Sequence, residues 1–358
     1  GRKEARNHSQ VYLKGLLLCE GRKNVERIAL RFASGTDGSP PKQKEVVALQ
    51  EFLSVSPWKA GDVMEEIQQV FAEEFMPSAA QCPIGTVGVI DETSFIKRGP
   101  ESCGVKRQYC GRTGQPENCQ VGVFLVGVVP AGTLLLDHQL YLPKEWLKDQ
   151  ERRKKARIPK GIRFQTKPQI AISQLRRTLQ AGHVRFGWIV ADALYGHDGP
   201  FLDALEGLSL RYVISVAGNT RVWPKAYTSE IRPWLGDPRP SAVKTRKAAK
   251  TAEAIAAGLP AAAWHVIHLR EGSKGPLAFE FSRVRAWAIR GSKPGPPVWL
   301  VIRRTLERKA EYTYYVSNAD ESTPLETLAL VGGTRFRVEE FFEESKGALG
   351  MTDYEARG

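Results

Sequence analysis

The stretch Gly85-Thr-Val-Gly-Val-Ile-Asp91 decides the predicted fold, because it is an apolar strand that ends on a carboxylate. Further along the chain, Trp188-Ile-Val-Ala-Asp192 repeats this pattern. Ligands and metals commonly bind beyond the ends of such strands, so we expect both carboxylates to point into one crevice if the strands are neighbours. Taken singly, either aspartate is more often a turn former or a helix cap.

The elements around these two strands predict an α/β fold with a mixed sheet. Residues 120–129 and 134–142 have strand patterns that follow the first strand as an antiparallel meander. A helix, a strand, a helix and a strand are then expected, at residues 170–179, 188–192, 201–208 and 212–216. This alternation implies a parallel portion of the same sheet.

The chain divides into four predicted parts. Apolar residues recur at helical spacing up to Phe75, which predicts an all-helical domain at 1–80 that binds DNA or serves only in packing. The α/β core is predicted to comprise 81–217 as its first part and 316–358, with two helices, as its last part. The part between them, 218–315, is predicted to be a β-rich insertion. It holds 18 Lys and Arg against 7 Asp and Glu, so most of the chain's excess of positive charge lies there.

A third acidic residue is expected on the last helix, in the stretch from Arg335 to Lys346. Helical spacing aligns Arg335, Glu339, Glu343 and Lys346 on one face. A solvated charged face would look similar, but Val338, Phe341, Phe342 and Ser345 give the helix a definite buried side. The charged face therefore has a fixed orientation.

Three converging carboxylates, from Asp91, Asp192 and Glu339, predict a site for two divalent ions. Mg²⁺ and Mn²⁺ are hard cations that prefer such oxygen ligands. A pair of these ions can activate a water or a 3′-hydroxyl and stabilise the leaving oxygen of a phosphodiester. Arg335 and Lys346 are expected to hold the flanking phosphates.

Composition excludes several other classes of protein. The five cysteines show no C-x-x-C pair, so reduced structural thiols are expected. No apolar run approaches the roughly 20 residues of a membrane span, and neither a zinc-protease motif nor a phosphate-binding glycine loop for a nucleotide cofactor is present. The start has no apolar signal region, and we expect a trimmed cytoplasmic chain. A net charge of +13 favours a polyanionic partner, with nucleic acid as the leading candidate.

The spacing Arg335-x3-Glu339-x6-Lys346 resembles the Y-x2-R-x3-E-x6-K signature of one subgroup of the DDE transposases of bacterial insertion sequences. Gly332 stands where that signature has its tyrosine. Further stretches that resemble the same group are Ile90-Asp-Glu-Thr-Ser-Phe95, Arg107-Gln-Tyr-Cys-Gly-Arg-Thr-Gly114, Asn118-Cys-Gln-Val-Gly122, Val190-Ala-Asp-Ala-Leu-Tyr-Gly196, Tyr315-Val-Ser-Asn318 and Lys346-Gly-Ala-Leu-Gly350.

This resemblance covers nearly the whole chain and implies an RNase H-like catalytic core. It implies that Asp91, Asp192 and Glu339 form the catalytic triad, after a mostly β insertion that precedes the third acid. It also implies that an aromatic residue of the insertion stacks on a flipped base during hairpin cleavage. Tyr312 is the candidate and Trp299 its rival, although a strand aromatic is more often part of a core.

Two basic stretches complete the candidates for DNA contact. Arg152, Arg153, Lys154 and Lys155 are predicted to form a basic loop along a phosphate backbone, and a merely solvated loop is nearly as good an interpretation. A second cluster at 244–250 predicts a basic arm or a short helix.

The sequence thus predicts a metal-dependent DNA transposase. It would cleave double-stranded DNA at transposon ends and join the freed ends to target DNA, acting as a homodimer in the bacterial cytoplasm and associated with the nucleoid. A metal-dependent nuclease that does not join strands, and a catalytically silent DNA-binding protein derived from a transposase, remain as alternatives.

Overall fold

The fold is described by a computed structural model that covers residues 2–33, 42–57, 59–224, 249–272, 275–290 and 293–354. Most of the predicted break at 35–44 and of the basic cluster at 244–250 lies outside the described residues. The described helices, in chain order, are α1 (Arg2–Leu18), α2 (Val25–Phe32), α3 (Gln43–Ser54), α4 (Ala60–Val70), α5 (Lys144–Lys148), α6 (Gln150–Lys155), α7 (Lys167–Ala181), α8 (Ala193–Gly196), α9 (Gly199–Gly207), α10 (Ala252–Ala257), α11 (Leu325–Gly333) and α12 (Phe336–Gly347).

The described strands form one mixed sheet. They are β1 (Val87–Ile96), β2 (Lys106–Cys110), β3 (Gln115–Val129), β4 (Gly132–Leu140), β5 (Trp188–Ala191), β6 (Tyr212–Val216), β7 (Arg221–Pro224), β8 (Lys250–Thr251), β9 (His265–Gly272), β10 (Gly275–Arg290), β11 (Lys293–Arg304) and β12 (Tyr312–Ser317).

The first half of the sheet has the order β4-β3-β1-β5-β6. Strands β1, β3 and β4 pair antiparallel, which confirms the predicted meander. Strands β5 and β6 run parallel to β1 because α7 and α9 supply the connections that parallel neighbours require. This mixed arrangement with flanking helices is consistent with an RNase H-like fold.

Strands from the part predicted as an insertion extend the same sheet. β12 pairs antiparallel with β6, and β11 and β10 follow it outward. The Asn318 side chain secures the seam, because it accepts a hydrogen bond from the backbone of Tyr212 at 2.8 Å and donates one to the carbonyl of Leu210 at 2.9 Å. The basic part of the chain is therefore hydrogen-bonded directly to the strand that follows β5. The four predicted domain boundaries remain predictions.

Two apolar layers cover the sheet. One face, here called the α7 face, packs Ile90, Ile189 and Ile214 against α7 and α9. The opposite face, the α12 face, packs their strand neighbours against α11 and α12. Because side chains alternate along a strand, adjacent residues of β1, β5 and β6 reach opposite layers.

The helices α1 to α3 enclose an apolar cluster of their own, built around Ile28 and Leu49. Gly15 allows close contact between the first two helices, because a Cβ atom there would lie only 2.2 Å from the Ile28 side chain. A DNA-binding role for these helices stays a prediction. Among the described helices, none is long and apolar enough to cross a membrane.

Candidate active site

Asp91 and Asp192 are brought together by the register of two parallel strands. The pairing of β1 with β5 ends at Ile90 opposite Ala191, so the next residue on each side is an aspartate. Val89 and Val190, two residues before them, belong to the α12 face, and alternation places both carboxylates on that face. The predicted juxtaposition of the two strands is therefore present.

The expected position of Asp91 at the end of its strand is wrong. Strand β1 continues to Ile96, because the residues after Asp91 keep their pairing with β3, from Phe124 to Cys119. Only the parallel partner, β5, stops. Asp91 thus lies inside β1, where that strand extends past the end of β5.

Asp192 does follow its strand directly, and it also caps α8. Its Oδ1 accepts a hydrogen bond from the backbone N–H of Leu194 at 2.9 Å. The interpretation as a helix cap is therefore correct for this residue, and it is compatible with a place in the cavity described below.

Glu339 lies on α12 and is tied to Asp91 through Arg335. The Arg335 guanidinium donates from Nη1 to Glu339 Oε1 at 2.6 Å and contacts Asp91 Oδ2 from Nη2 at 3.3 Å. The Asp91 side chain is 11% exposed and that of Glu339 is 61% exposed, so the arginine links a buried carboxylate to a solvated one. A positive group thus already lies between two members of the predicted triad.

Burial dominates the electrostatics of Asp91. Loss of solvent raises the pKa of its carboxyl to about 7, against the opposing effect of Arg335, and the negative charge of Asp192 adds to the increase. The register of β1 and β5 places the two carboxylates side by side, so their negative charges repel each other. A cation between them would relieve that repulsion.

One cavity of about 600 Å³ gathers five of the predicted site residues: Asp91, Asp192, Arg335, Glu339 and Lys346. Lys346 donates a hydrogen bond to the Thr93 hydroxyl. Burial lowers the pKa of the Lys346 ammonium, and the nearby Arg112 lowers it further. The cavity therefore brings together residues that are far apart in the sequence. Asp91 and Arg335 are separated by 244 positions, and Thr93 and Lys346 by 253.

Glu92 and Lys167 also line this cavity, and the sequence did not predict their contact with each other or with Tyr195 in the core beside them. Glu92 accepts hydrogen bonds from Lys167 Nζ at 2.7 Å and from the Tyr195 hydroxyl at 2.8 Å. Tyr195 is fully buried, and burial together with the Glu92 charge raises the pKa of its phenol well above the usual value. Glu92 and Tyr195 each stand in a motif that also contains a predicted catalytic aspartate, but no local signal indicated that they are in contact.

Tyr312 and Trp299, the two candidates for base stacking, are not among the described residues that line this cavity. Tyr312 is 42% exposed on β12 and lies edge-on to Trp264, with ring centroids 6.1 Å apart. Trp299, on β11, lies under the guanidinium groups of Arg283 and Arg285. Base stacking by either residue stays a prediction.

The basic run 152–155 was expected to form a loop and instead lies on α6, which Asp149 caps by accepting a hydrogen bond from the Arg152 backbone at 2.9 Å. The side chains have local partners. Arg152 lies over the Trp146 ring at 3.6 Å, Arg153 donates to the carbonyl of Ile162, and Lys155 pairs with Glu101 at 2.6 Å. Lys154 is exposed.

The donor set at the cavity suits a hard divalent cation. Three carboxylates supply oxygen ligands, and Asp91 is buried beside a second negative charge. In the arrangement described, Glu339 is engaged by Arg335, and no three His, Cys, Asp or Glu side chains of the described residues are grouped closely enough to hold a metal ion. The residue types therefore fit a divalent metal ion, and Arg335 contacts two of the three carboxylates.

Sheet, cavity and sequence together define the class of this protein. The chain belongs to the DDE superfamily endonucleases, whose family model matches residues 1–276 and so includes Asp91 and Asp192 but not Glu339. It is also similar to a probable transposase for insertion sequence element IS701 of Microchaete diplosiphon, with 32% identity over 172 residues. That match covers 48% of this chain and 40% of the relative's own length. The predicted family is confirmed, and its members generally use divalent metal ions.

Proposed function

We propose that this chain is a DNA transposase that cleaves at the ends of an insertion sequence and joins the freed 3′ ends to target DNA. Asp91, Asp192 and Glu339 are its catalytic carboxylates. The observation that carries this proposal is the convergence of these three acids, which are far apart in sequence, on one cavity of about 600 Å³. Membership in the DDE superfamily and the similarity to an insertion-sequence transposase support it.

The three carboxylates would hold two Mg²⁺ or Mn²⁺ ions, which when bound supply activation of the attacking oxygen and stabilisation of the leaving one. Asp91 contributes a desolvated carboxylate on a rigid strand, and Asp192 contributes one that is fixed by its cap to α8. Glu339 is more exposed, and Arg335 holds it near Asp91.

The cations around the cavity would bind the DNA backbone. Lys346 is held against β1 by its hydrogen bond to Thr93, and Lys167 is paired with Glu92. Fixed positive groups beside the carboxylates attract phosphate and orient the strand, while adding no preference for sequence. Double-stranded DNA is the proposed partner, bound by a homodimer that is associated with the nucleoid.

Asp192→Asn tests the catalytic assignment most directly. Because asparagine also caps helices well, the substitution removes a charged ligand and preserves the start of α8. We expect cleavage of DNA that carries the element's own ends to fall by at least about a thousandfold, since removal of one catalytic group costs several kcal/mol. Affinity for the same DNA should stay within about twofold of the wild type, because Asp192 is not a phosphate contact.

Asp198→Asn is the matched control. Asp198 caps α9 by accepting a hydrogen bond from Phe201 at 2.8 Å, and it does not line the carboxylate cavity. The Asp198→Asn variant should cleave DNA as the wild type does. Retained cutting by Asp192→Asn would refute the assignment. Cleavage by the wild type with no joining of pre-cut ends would favour the nuclease alternative, and DNA binding without either reaction would favour the silent DNA-binding protein.

A further inference from the structure

A second, smaller pocket of about 210 Å³ adjoins the carboxylate cavity on the α12 face. It shares Arg335 and Glu339 with that cavity, and its other walls come from strands β6 and β9 to β12 and from helices α11 and α12. The volume is below the roughly 300 Å³ at which pockets begin to accept drug-sized ligands, so it suits one small group.

The sheet register explains why polar side chains meet in this pocket. Ser215 of β6 pairs with Tyr315 of β12, and Thr313 of β12 pairs with Arg303 of β11. All four residues line the pocket, because Tyr315 and its strand neighbours two positions away share one face. Glycines at positions 332 and 333 of α11 form part of the opposite wall and leave the space open.

The charge of the pocket is strongly positive. Arg270, Arg303 and Arg335 line it, with Glu339 as the one acidic residue among the lining side chains described. Arg270 is partly neutralised by Glu340 at 3.2 Å, and Arg335 by the two carboxylates that it joins.

Arg303 differs from these two arginines, because no carboxylate pairs with it among the residues that the structure describes. It donates to the Thr313 hydroxyl at 2.9 Å and lies over the Phe279 ring at 4.5 Å, which fixes the guanidinium beside the pocket. In addition, the Nε of Arg335 is buried without a hydrogen-bond partner in the described part of the chain. A buried donor without an acceptor is rare, and an anion bound beside Arg335 would satisfy this one.

Tyr315 adds a neutral donor. Its side chain is 4% exposed, and burial raises the pKa of the phenol, while the charges of Arg303 and Arg335 oppose that increase. Both guanidinium groups are therefore near the phenol, which is the arrangement of donors that phosphate oxygens accept from.

We propose that the pocket formed by Arg303, Thr313, Tyr315 and Arg335 binds a phosphate of the DNA backbone. This phosphate lies next to the phosphate that is held at the carboxylates. The inference rests on the proposed function for its choice of DNA as the source of the phosphate. Arg303 is its central contact and comes from the part of the chain that was predicted as an insertion.

The test compares Arg303→Gln with Arg304→Gln. Arg304 is the next residue of β11 and faces the other side of the sheet, where it pairs with Glu280 at 2.8 Å and lies over Trp264. The two variants remove the same charge from opposite faces. The probe is a short DNA duplex of fixed arbitrary sequence, titrated at several salt concentrations, because a phosphate contact does not depend on sequence.

We expect Arg303→Gln to weaken binding about tenfold, as loss of one charged hydrogen bond would, and to reduce the salt slope by about 0.9. Arg304→Gln should stay within about twofold of the wild type, since its charge is already paired. Tyr315→Phe removes one hydroxyl and should weaken binding by severalfold with the salt slope unchanged.

Equal losses for Arg303→Gln and Arg304→Gln, or unchanged binding by Arg303→Gln, would overturn the proposal. Thermal melting of each variant shows whether it is folded, and Arg303→Lys, which keeps the charge and loses the planar fork, should recover the salt slope. Failure here is distinguishable from failure of the proposed function. If Asp192→Asn abolishes cleavage while Arg303→Gln binds DNA normally, the pocket assignment fails and the catalytic one stands.

Discussion

The two halves of the sheet are built by different rules. The first half, β1 to β6, combines the antiparallel meander of β1, β3 and β4 with two parallel strands, β5 and β6, that follow helices. In the second half, β9 to β12 pair with one another only in the antiparallel direction. Within the sheet, four paired positions between β12 and β6 join the second half to the first. One half carries Asp91 and Asp192, and the other carries Arg303. The geometry of the whole site therefore depends on this seam.

Both halves nevertheless share one apolar layer. Ile214 of β6 and Ile302 of β11 are both fully buried and belong to the same cluster on the α7 face. A shared core predicts that the two halves unfold together, in contrast to an insertion that folds as a separate lobe.

The largest expected effect on stability comes from substitutions that leave a cavity in this shared core. We expect Ile214→Ala and Ile302→Ala each to lower the free energy of unfolding by about 2–5 kcal/mol, because each loses buried methyl groups and leaves a cavity. Each variant should keep a single urea transition when it is followed by both far-UV circular dichroism and tryptophan fluorescence. Ile96→Ala, at a position 44% exposed, is the control and should change stability by less than about 0.5 kcal/mol. An early, separate transition in Ile302→Ala alone would show that the halves are independent.

Sequence patterns predicted the first half of the sheet better than the second. Strand β6 was predicted at its observed bounds, 212–216, because a five-residue apolar run rich in β-branched residues is too short for a helix. The end of β1 was missed because Thr93 and Ser94 are held in the strand by pairing with β3, which is a tertiary effect. The order of β9 to β12 likewise depends on pairing between distant segments, which local patterns do not encode.

The sequence predicted which acidic residues lie at the candidate site, but it did not predict which side chains contact them. Apolar runs that lead into an aspartate, together with helical spacing, pointed to Asp91, Asp192 and Glu339, and all three line a single cavity. No spacing rule indicates that Arg335 lies between two of them, or that Lys167 pairs with Glu92 across 75 positions. These contacts depend on how α7 and α12 pack on opposite faces of the sheet, which follows from the complete fold.

A smaller effect is expected at a polar bridge between the halves. Arg290 of β10 contacts Asp203 at 2.6 Å and Glu206 at 3.0 Å, both on α9. Its side chain is only 15% exposed, so Arg290→Gln should cost about 1–2 kcal/mol of stability in urea denaturation. Lys106→Gln, which removes an exposed pair with Glu145 inside the first half, should cost less than about 1 kcal/mol. Equal costs would mean that Arg290 does not help to join the halves.

The smallest expected change in binding compares Lys346 of α12, which contacts Thr93 of β1, with Arg303 of β11. Lys346→Gln should flatten the salt dependence of DNA affinity by up to about 0.9 in slope, since Lys346 neutralises at most one phosphate. Lys346→Arg keeps the charge and should keep the slope. If Lys346 and Arg303 touch different phosphates, the double variant Lys346→Gln with Arg303→Gln should lose about 1.8 in slope, because independent contacts add. A double variant no flatter than Arg303→Gln alone would place both cations on one phosphate.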